Sequence, residues 1–201
     1  MDFIKNKYVY IEDAFPKEVS LFLYNYLVIK KLSFETLLAT GYFNKNQKIC
    51  GVMGDPMCPN TYSIYGDVAF DTLLMMVQQK LEEHTGLRLV PNYSYARLYE
   101  KGADLYKHKD RENCEISTTI NLGGDEWPIY LKGKKKVKIT PKPGGMLIYK
   151  GIELEHWREP FTGEKCGQVF LHYKDVNTKD AIDTIYDTRR HIGLPAEFKK
   201  K

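Results

Sequence analysis

The sequence predicts an α+β fold in which helices pack on one face of a double-sheet β-core near a jelly roll. Three observations carry that prediction. Apolar residues recur at helical spacing in two stretches before Gly86; short aromatic and β-branched runs dominate after it; and Gly- or Pro-bearing turns separate those runs.

The first helical stretch is PKEVSLFLYNYLVIKK. Pro16 suits a first helical turn, and Val19, Phe22, Leu23, Tyr26 and Ile29 then fall at helical spacing, so an amphipathic helix is expected. From Gly41 to Gly66 the chain is rich in Gly, Asn, Pro and aromatic residues without a period, which reads as loop and short strand. The second helix is sharper: Phe70, Leu73, Leu74, Val77 and Leu81 share a face, Gln78, Glu82 and Glu83 lie off it, and Gly86 supplies the stop. Met75 and Met76 are read as core filler rather than as cofactor ligands. Strand-like runs come next (YSYARLY, ISTTINL, PIYL, VKIT, MLIY and QVFLHY), separated by the turns GGDE, KGKK, KPGG and FTGEK. From Asp180 onward, Ile182, Ile185 and Tyr186 are spaced for a short helix ahead of a frayed lysine tail.

No repeat and no linker divides the 201 residues, so one domain is expected over 1–201, with helical support and loops over 1–90 and the β-core over 91–176. Three of the four net positive charges sit at Lys199, Lys200 and Lys201, and a near-neutral body argues against a dedicated nucleic-acid binder. The lysine run KGKKKVKI has no interleaved aromatics and reads as a charged turn that protects a strand edge. Cys50, Cys58, Cys114 and Cys166 show no C-x-x-C spacing, which points to reduced thiols and a cytoplasmic setting. The N-terminus has no signal pattern and the longest apolar run, around FLYNYLVI, is too short for a bilayer, so a soluble chain without a membrane partner is expected.

One stretch carries chemistry: LYKHKDRENCEISTTINL. Residues i and i+2 of a strand share a face, so His108 and Asp110 can both reach one ion. A second histidine, His156, comes after PGGMLIYKGIELE, a turn, an apolar strand and a loop. Two imidazoles and one carboxylate cover one face of an octahedral ion and leave positions open, which suits non-haem Fe(II) and oxygen chemistry. His84, at a helix end, and His172, in an apolar strand, are read as structural, and nothing in the spacing recruits His191. In the strand after the motif, Thr118 alternates with Ser117 and Thr119, and periodicity leaves open which face lines a pocket.

From Tyr99 to Asp175 the chain resembles the 2-oxoglutarate- and Fe(II)-dependent oxygenases of the prolyl 4-hydroxylase-like group, in its compact bacterial or viral and phage form. Y-x-x-G-x-x-L-x-x-H-x-D is written as YEKGADLYKHKD, and a glycine-led strand, a histidine and a later basic residue as GGMLIYKGIELEHWREPFTGEKCGQVFLHY. The resemblance implies a double-stranded β-helix (jelly roll) core with the N-terminal helices packed on one sheet. It implies His108, Asp110 and His156 as iron ligands, Lys165 as partner of the far carboxylate of 2-oxoglutarate, and Tyr99 near that cosubstrate. Arg158 is the other nearby cation; strand parity, which puts Lys165 on the face of Val169 and Leu171, favours Lys165. The implied cofactors are Fe(II), 2-oxoglutarate and O2, with ascorbate as an accessory reductant. The implied reaction is hydroxylation of an unactivated C–H bond, first of a prolyl residue in a peptide or protein. A free amino acid, another small molecule or a nucleic-acid base is the alternative substrate, and a non-catalytic jelly-roll binding module the alternative class. Asp110 is a carboxylate where halogenating relatives have a small residue, so hydroxylation is the expected outcome. The implied location is the cytoplasm of a bacterium or of a virus- or phage-infected host.

Overall fold

The computed structural model describes residues 2–43, 48–55 and 57–199. A turn of helix, α1 (Phe3–Asn6), leads into β1 (Tyr8–Ile11) and the long α2 (Lys17–Ala39). A hairpin of β2 (Val52–Asp55) and β3 (Cys58–Tyr65) precedes α3 (Val68–Thr85). The β-core then runs through β4 (Leu89–Glu100), β5 (Leu105–His108), β6 (Ile116–Gly124), β7 (Ile129–Lys132), β8 (Lys136–Ile139), β9 (Met146–Lys150), β10 (Glu155–Arg158) and β11 (Lys165–Asp175). These strands form two antiparallel sheets, in the orders β1-β9-β6-β11-β4-β3-β2 and β5-β10-β7-β8. From β4 to β11 the chain crosses between the sheets repeatedly, the winding of a double-stranded β-helix. The stretch without a period, 41–66, supplies β2 and β3, which widen the large sheet at its β4 edge.

The helices cover one face of the large sheet. Ala96 and Leu98 of β4, Ile116, Ile120 and Leu122 of β6, and Val169 and Leu171 of β11 are buried with residues of α2 and α3 in one apolar cluster. Each leucine, isoleucine and valine among them contributes about 1.5–3 kcal/mol on burial, so this layer fixes the sheet that carries the site. In α3 the predicted stripe is the buried one, from Phe70 to Leu81. Its start is capped by Asp67, whose Oδ1 accepts from Ala69 N at 3.0 Å, and its end by Gly86 at φ 71°, a left-handed position that a side chain would strain.

Three expectations are corrected. In α2 the buried positions are Ser20, Leu23, Leu27 and Phe34, while Phe22 and Ile29 are 68% and 61% exposed. The cause is that SLFLYNYLVI is apolar nearly all round, so spacing alone does not choose the inner stripe. Met75 and Met76 lie on the solvent side of α3 and are not core filler. After Asp180 no α-helix forms among the described residues: two short 3-10 turns, Ile185–Thr188 and Ala196–Phe198, stand in its place, and the first contains Tyr186 and Asp187 in left-handed conformations.

The four cysteines are free thiols, with Cys58, Cys114 and Cys166 buried. The lysine-rich turn joins β7 to β8, and β8 is an edge strand of the small sheet, opposite β5. Among the described residues, no helix is long and apolar enough to cross a membrane.

Candidate metal centre

Register brings the two motif histidines together. β10 pairs antiparallel with β5, and His156 stands directly opposite His108, with ring centroids 4.2 Å apart. Asp110 reaches them by a different route from the one strand parity suggests. β5 ends at His108, and Asp110 is held beyond it by donating its backbone N–H to Gly151 O at 2.9 Å. Asp110 Oδ1 then lies 3.7 Å from His108 Nε2 and 3.5 Å from His156 Nε2, and the three ligand atoms fall within 4.8 Å of one another.

Each histidine anchors its other nitrogen on a carbonyl two residues upstream: His108 Nδ1 lies 2.8 Å from Tyr106 O, and His156 Nδ1 3.0 Å from Leu154 O. A carbonyl only accepts, so Nδ1 carries the hydrogen and Nε2 keeps its lone pair for an ion. Burial opposes the charge on Asp110, but its contacts with His156, His172 and Ser117 outweigh burial in the metal-free protein and hold its carboxyl well below the usual range. His108 is shifted down by burial and by its histidine neighbour, which keeps it neutral and able to ligate. Two imidazole nitrogens and one carboxylate oxygen, with no lysine or arginine at ion-pair distance among the described residues, are a donor set that fits a ferrous ion.

A second charged group sits deeper. Arg158, at the end of β10, is 1% exposed. Its Nη1 donates to Trp127 O, its Nη2 to Thr119 Oγ1 at 3.2 Å and Gln168 Oε1 at 3.3 Å, and its guanidinium lies over the Trp127 ring at 5.0 Å. Its Nε is buried without a hydrogen-bond partner. None of these partners is an anion, and burial pulls the guanidinium pKa down. A buried cation in such a setting calls for an anionic ligand.

Lys165 is placed elsewhere. Parity does put it on the face of Val169 and Leu171, but that face turns to the helices: Lys165 pairs in register with Glu100, whose carboxylate lies 3.5 Å from Lys31 of α2. Lys165 is exposed at this outer edge, while Cys166, Gln168, Phe170 and His172 take the inner face. Tyr99 is on the inner face and fully buried, edge-on to Trp127 at 4.8 Å, with Arg97 Nη1 donating to its hydroxyl at 3.4 Å. Burial pushes its phenol up to about 12, so it stays a protonated donor.

Alternation in β6 is settled by its contacts: Ile116, Ile120 and Leu122 face the helices, and Ser117 and Thr119 face inward. Sequence reasoning missed Ser117, Thr119, Gln168 and Tyr149. Tyr149, on β9, is buried and edge-on to His156 at 4.8 Å. Only knowledge of which strand face is inner could have singled these out. The cavity of about 380 Å³ in front of the triad is walled by Tyr93, Tyr95 and Phe170 of the large sheet and reaches Arg97, Arg111 and His172. Its size suits a small molecule or one side chain of a larger one.

No protein-family model and no curated protein matches this chain. Solved structures do. The fold is similar to that of a Pseudomonas putida prolyl-4-hydroxylase, at 13% identity and a TM-score of 0.63, over 87% of this chain and 95% of that one. It is similar to the viral collagen prolyl hydroxylase of Paramecium bursaria Chlorella virus-1 in its 2-oxoglutarate complex, at 13% identity and 0.58, over 85% and 97% of the two chains. HygX from Streptomyces hygroscopicus, with nickel, 2-oxoglutarate and hygromycin B bound, matches at 13% identity and 0.58, over 87% of this chain and 85% of that one. At these identities the likeness shows the fold, the double-stranded β-helix of 2-oxoglutarate- and Fe(II)-dependent oxygenases.

Proposed function

We propose, from a fold shared with 2-oxoglutarate- and Fe(II)-dependent oxygenases, that this chain is such an oxygenase and hydroxylates an unactivated C–H bond. The observation that carries the reading is the convergence of His108 Nε2, Asp110 Oδ1 and His156 Nε2 within 4.8 Å, with a buried arginine, Arg158, two residues beyond His156 in β10, whose hydrogen-bond partners among the described residues are all neutral. His108, Asp110 and His156 would hold the iron. Arg158, rather than Lys165, would anchor the far carboxylate of 2-oxoglutarate, with Thr119 and Tyr99 alongside. When bound, iron and 2-oxoglutarate together with O2 would supply an oxidant for C–H bonds, one oxygen atom passing to the keto acid as it is converted to succinate and CO2 and the other to the substrate as its new hydroxyl.

The chain's own residues do the rest. The Nδ1–H bonds to Tyr106 and Leu154 keep both imidazoles aimed. The aromatic walls at Tyr93, Tyr95 and Phe170 exclude water and hold the target bond near the metal. Among substrates, a prolyl residue in a peptide is the first reading, supported by likeness to two prolyl hydroxylases. A small-molecule substrate is the second, favoured by the likeness, at a TM-score of 0.58, to HygX with hygromycin B bound.

The test is anaerobic titration of the protein with Fe(II) and then 2-oxoglutarate, monitoring the visible charge-transfer band of a chelated keto acid. The band should appear and should vanish in His108→Ala and Asp110→Ala. A wild-type protein that gives no band, yet is folded, sinks the oxygenase reading and leaves a binding module. Succinate release in air with proline-containing peptides, against free amino acids, then separates the two substrate readings.

A further inference from the structure

Ser117 stands behind the carboxylate of Asp110. Its hydroxyl oxygen lies 2.6 Å from Asp110 Oδ2, 3.0 Å from His172 Nδ1 and 3.1 Å from Cys114 O. A serine hydroxyl has one proton to donate. The carboxylate and the carbonyl can only accept, and the shorter, charge-assisted bond to Asp110 takes that proton. His172 Nδ1 therefore faces an oxygen lone pair, and the contact is attractive only if Nδ1 carries a hydrogen. In the other tautomer Ser117 would donate to His172, and Asp110 Oδ2 would lose its donor.

We propose that His172 is a positioning residue of the metal centre: by donating Nδ1–H to Ser117 Oγ it commits the Ser117 proton to Asp110 Oδ2 and leaves Oδ1 as the one carboxylate oxygen turned to the two imidazoles. This rests on the reading of His108, Asp110 and His156 as ligands. Oδ1 is indeed the oxygen within 3.7 Å of both Nε2 atoms. Gly151 closes the other side: a methyl group there would collide with Asp110 Oδ2, the Cys114 carbonyl and Ser117 Oγ. The His172 ring is itself held, buried on the inner face of β11 against Tyr93 at a centroid distance of 4.6 Å. A strand histidine that sequence reasoning takes as structural thus acts on the metal through one serine.

The experiment is titration of the full-length, metal-free protein with Co(II), read by affinity and by the visible absorption of the bound ion. In His172→Asn an amide N–H can replace the Nδ1 donor; in His172→Phe the ring stays and the donor is gone. The asparagine variant should bind Co(II) like wild type. The phenylalanine variant should bind about 10–100-fold more weakly, the usual effect of losing an outer-shell partner, with an altered absorption spectrum. Ser117→Ala should show the same loss, and combining it with His172→Phe should add little, because both remove one chain of bonds. Should the phenylalanine variant fail to fold, Ser117→Ala against wild type, with melting temperatures matched, carries the test. Wild-type affinity in either Ser117→Ala or a folded His172→Phe, or an asparagine variant as weak as the phenylalanine one, overturns the proposal. A wild-type protein that takes up no Co(II) instead overturns the ligand reading beneath it.

Discussion

At the scale of single residues, the two basic side chains considered as anchors for the far carboxylate of 2-oxoglutarate are told apart by burial. Arg158 is enclosed and Lys165 is exposed, so Arg158→Met should weaken 2-oxoglutarate binding about thirtyfold or more, the effect of removing one partner of a buried charge pair. Lys165→Ala should leave it within about twofold by the same logic, and titration of the charge-transfer band measures both. Spacing named the three residues that the structure brings together, whereas parity put Lys165 on the face of Val169 and Leu171 without saying which layer that face meets. His172 gives a pH signature. Burial lowers its pKa to about 4 from 6.5, so as pH falls from about 6.5 toward 4 the unfolded chain takes up a proton that the folded chain refuses. The metal-free protein should then lose on the order of 3 kcal/mol across that window, and His172→Asn should flatten the loss in urea midpoints recorded against pH. Asp110 acts lower down: its depressed carboxyl stabilises the fold above the ordinary carboxylate pKa, and that contribution fades as pH falls through the folded value.

At the scale of elements, α3 was readable because its apolar residues occupy a single stripe and its ends carry recognisable caps, while α2 was misread because it is apolar on most sides. The two helices are joined through the cap. Asp67 accepts from Ala69 N at the start of α3 and also from the hydroxyl of Tyr26 on α2 at 2.8 Å, with Lys30 Nζ at 3.1 Å. Asp67→Ala should therefore cost at least the usual 1 kcal/mol or so of an N-cap, and about 2 kcal/mol once the Tyr26 bond is counted. Asp67→Asn, which keeps an acceptor, should recover most of it in denaturant melts; equal losses in both variants would place the effect in the Lys30 charge instead. Six strands, β4, β6, β7, β8, β9 and β11, were legible in order from their turns, while β1 and β10, four residues each, stood out in no run. Their partners were not, because β-pairing joins residues far apart in the chain and a run such as MLIY does not say which run it will meet.

For the molecule as a whole, the C-terminal segment is the part that sequence reasoning described least well, and it is tied down by charge rather than by periodicity. Arg189 and Asp71 form a buried pair at 2.9 Å, and Asp71 also accepts from Ser94 N and Gly193 N. Nearby, Asp187 accepts from Tyr65 Oη at 2.6 Å and Asn113 Nδ2 at 2.7 Å while sitting at φ 54°. Breaking the buried pair with Arg189→Met should cost about 3–5 kcal/mol, since it strands a carboxylate away from water. Protease should then cut first after Asp180, and cleavage elsewhere first would show that the segment is held by other contacts. The direct opposition of His156 and His108 across β10 and β5 has one more consequence. Sliding either strand by a single position would swing its imidazole to the outer surface and leave the carboxylate with one companion. A site made of all three groups can therefore form only on a small sheet zipped in this register, and a substitution that slides β5 against β10 should abolish any ion binding there.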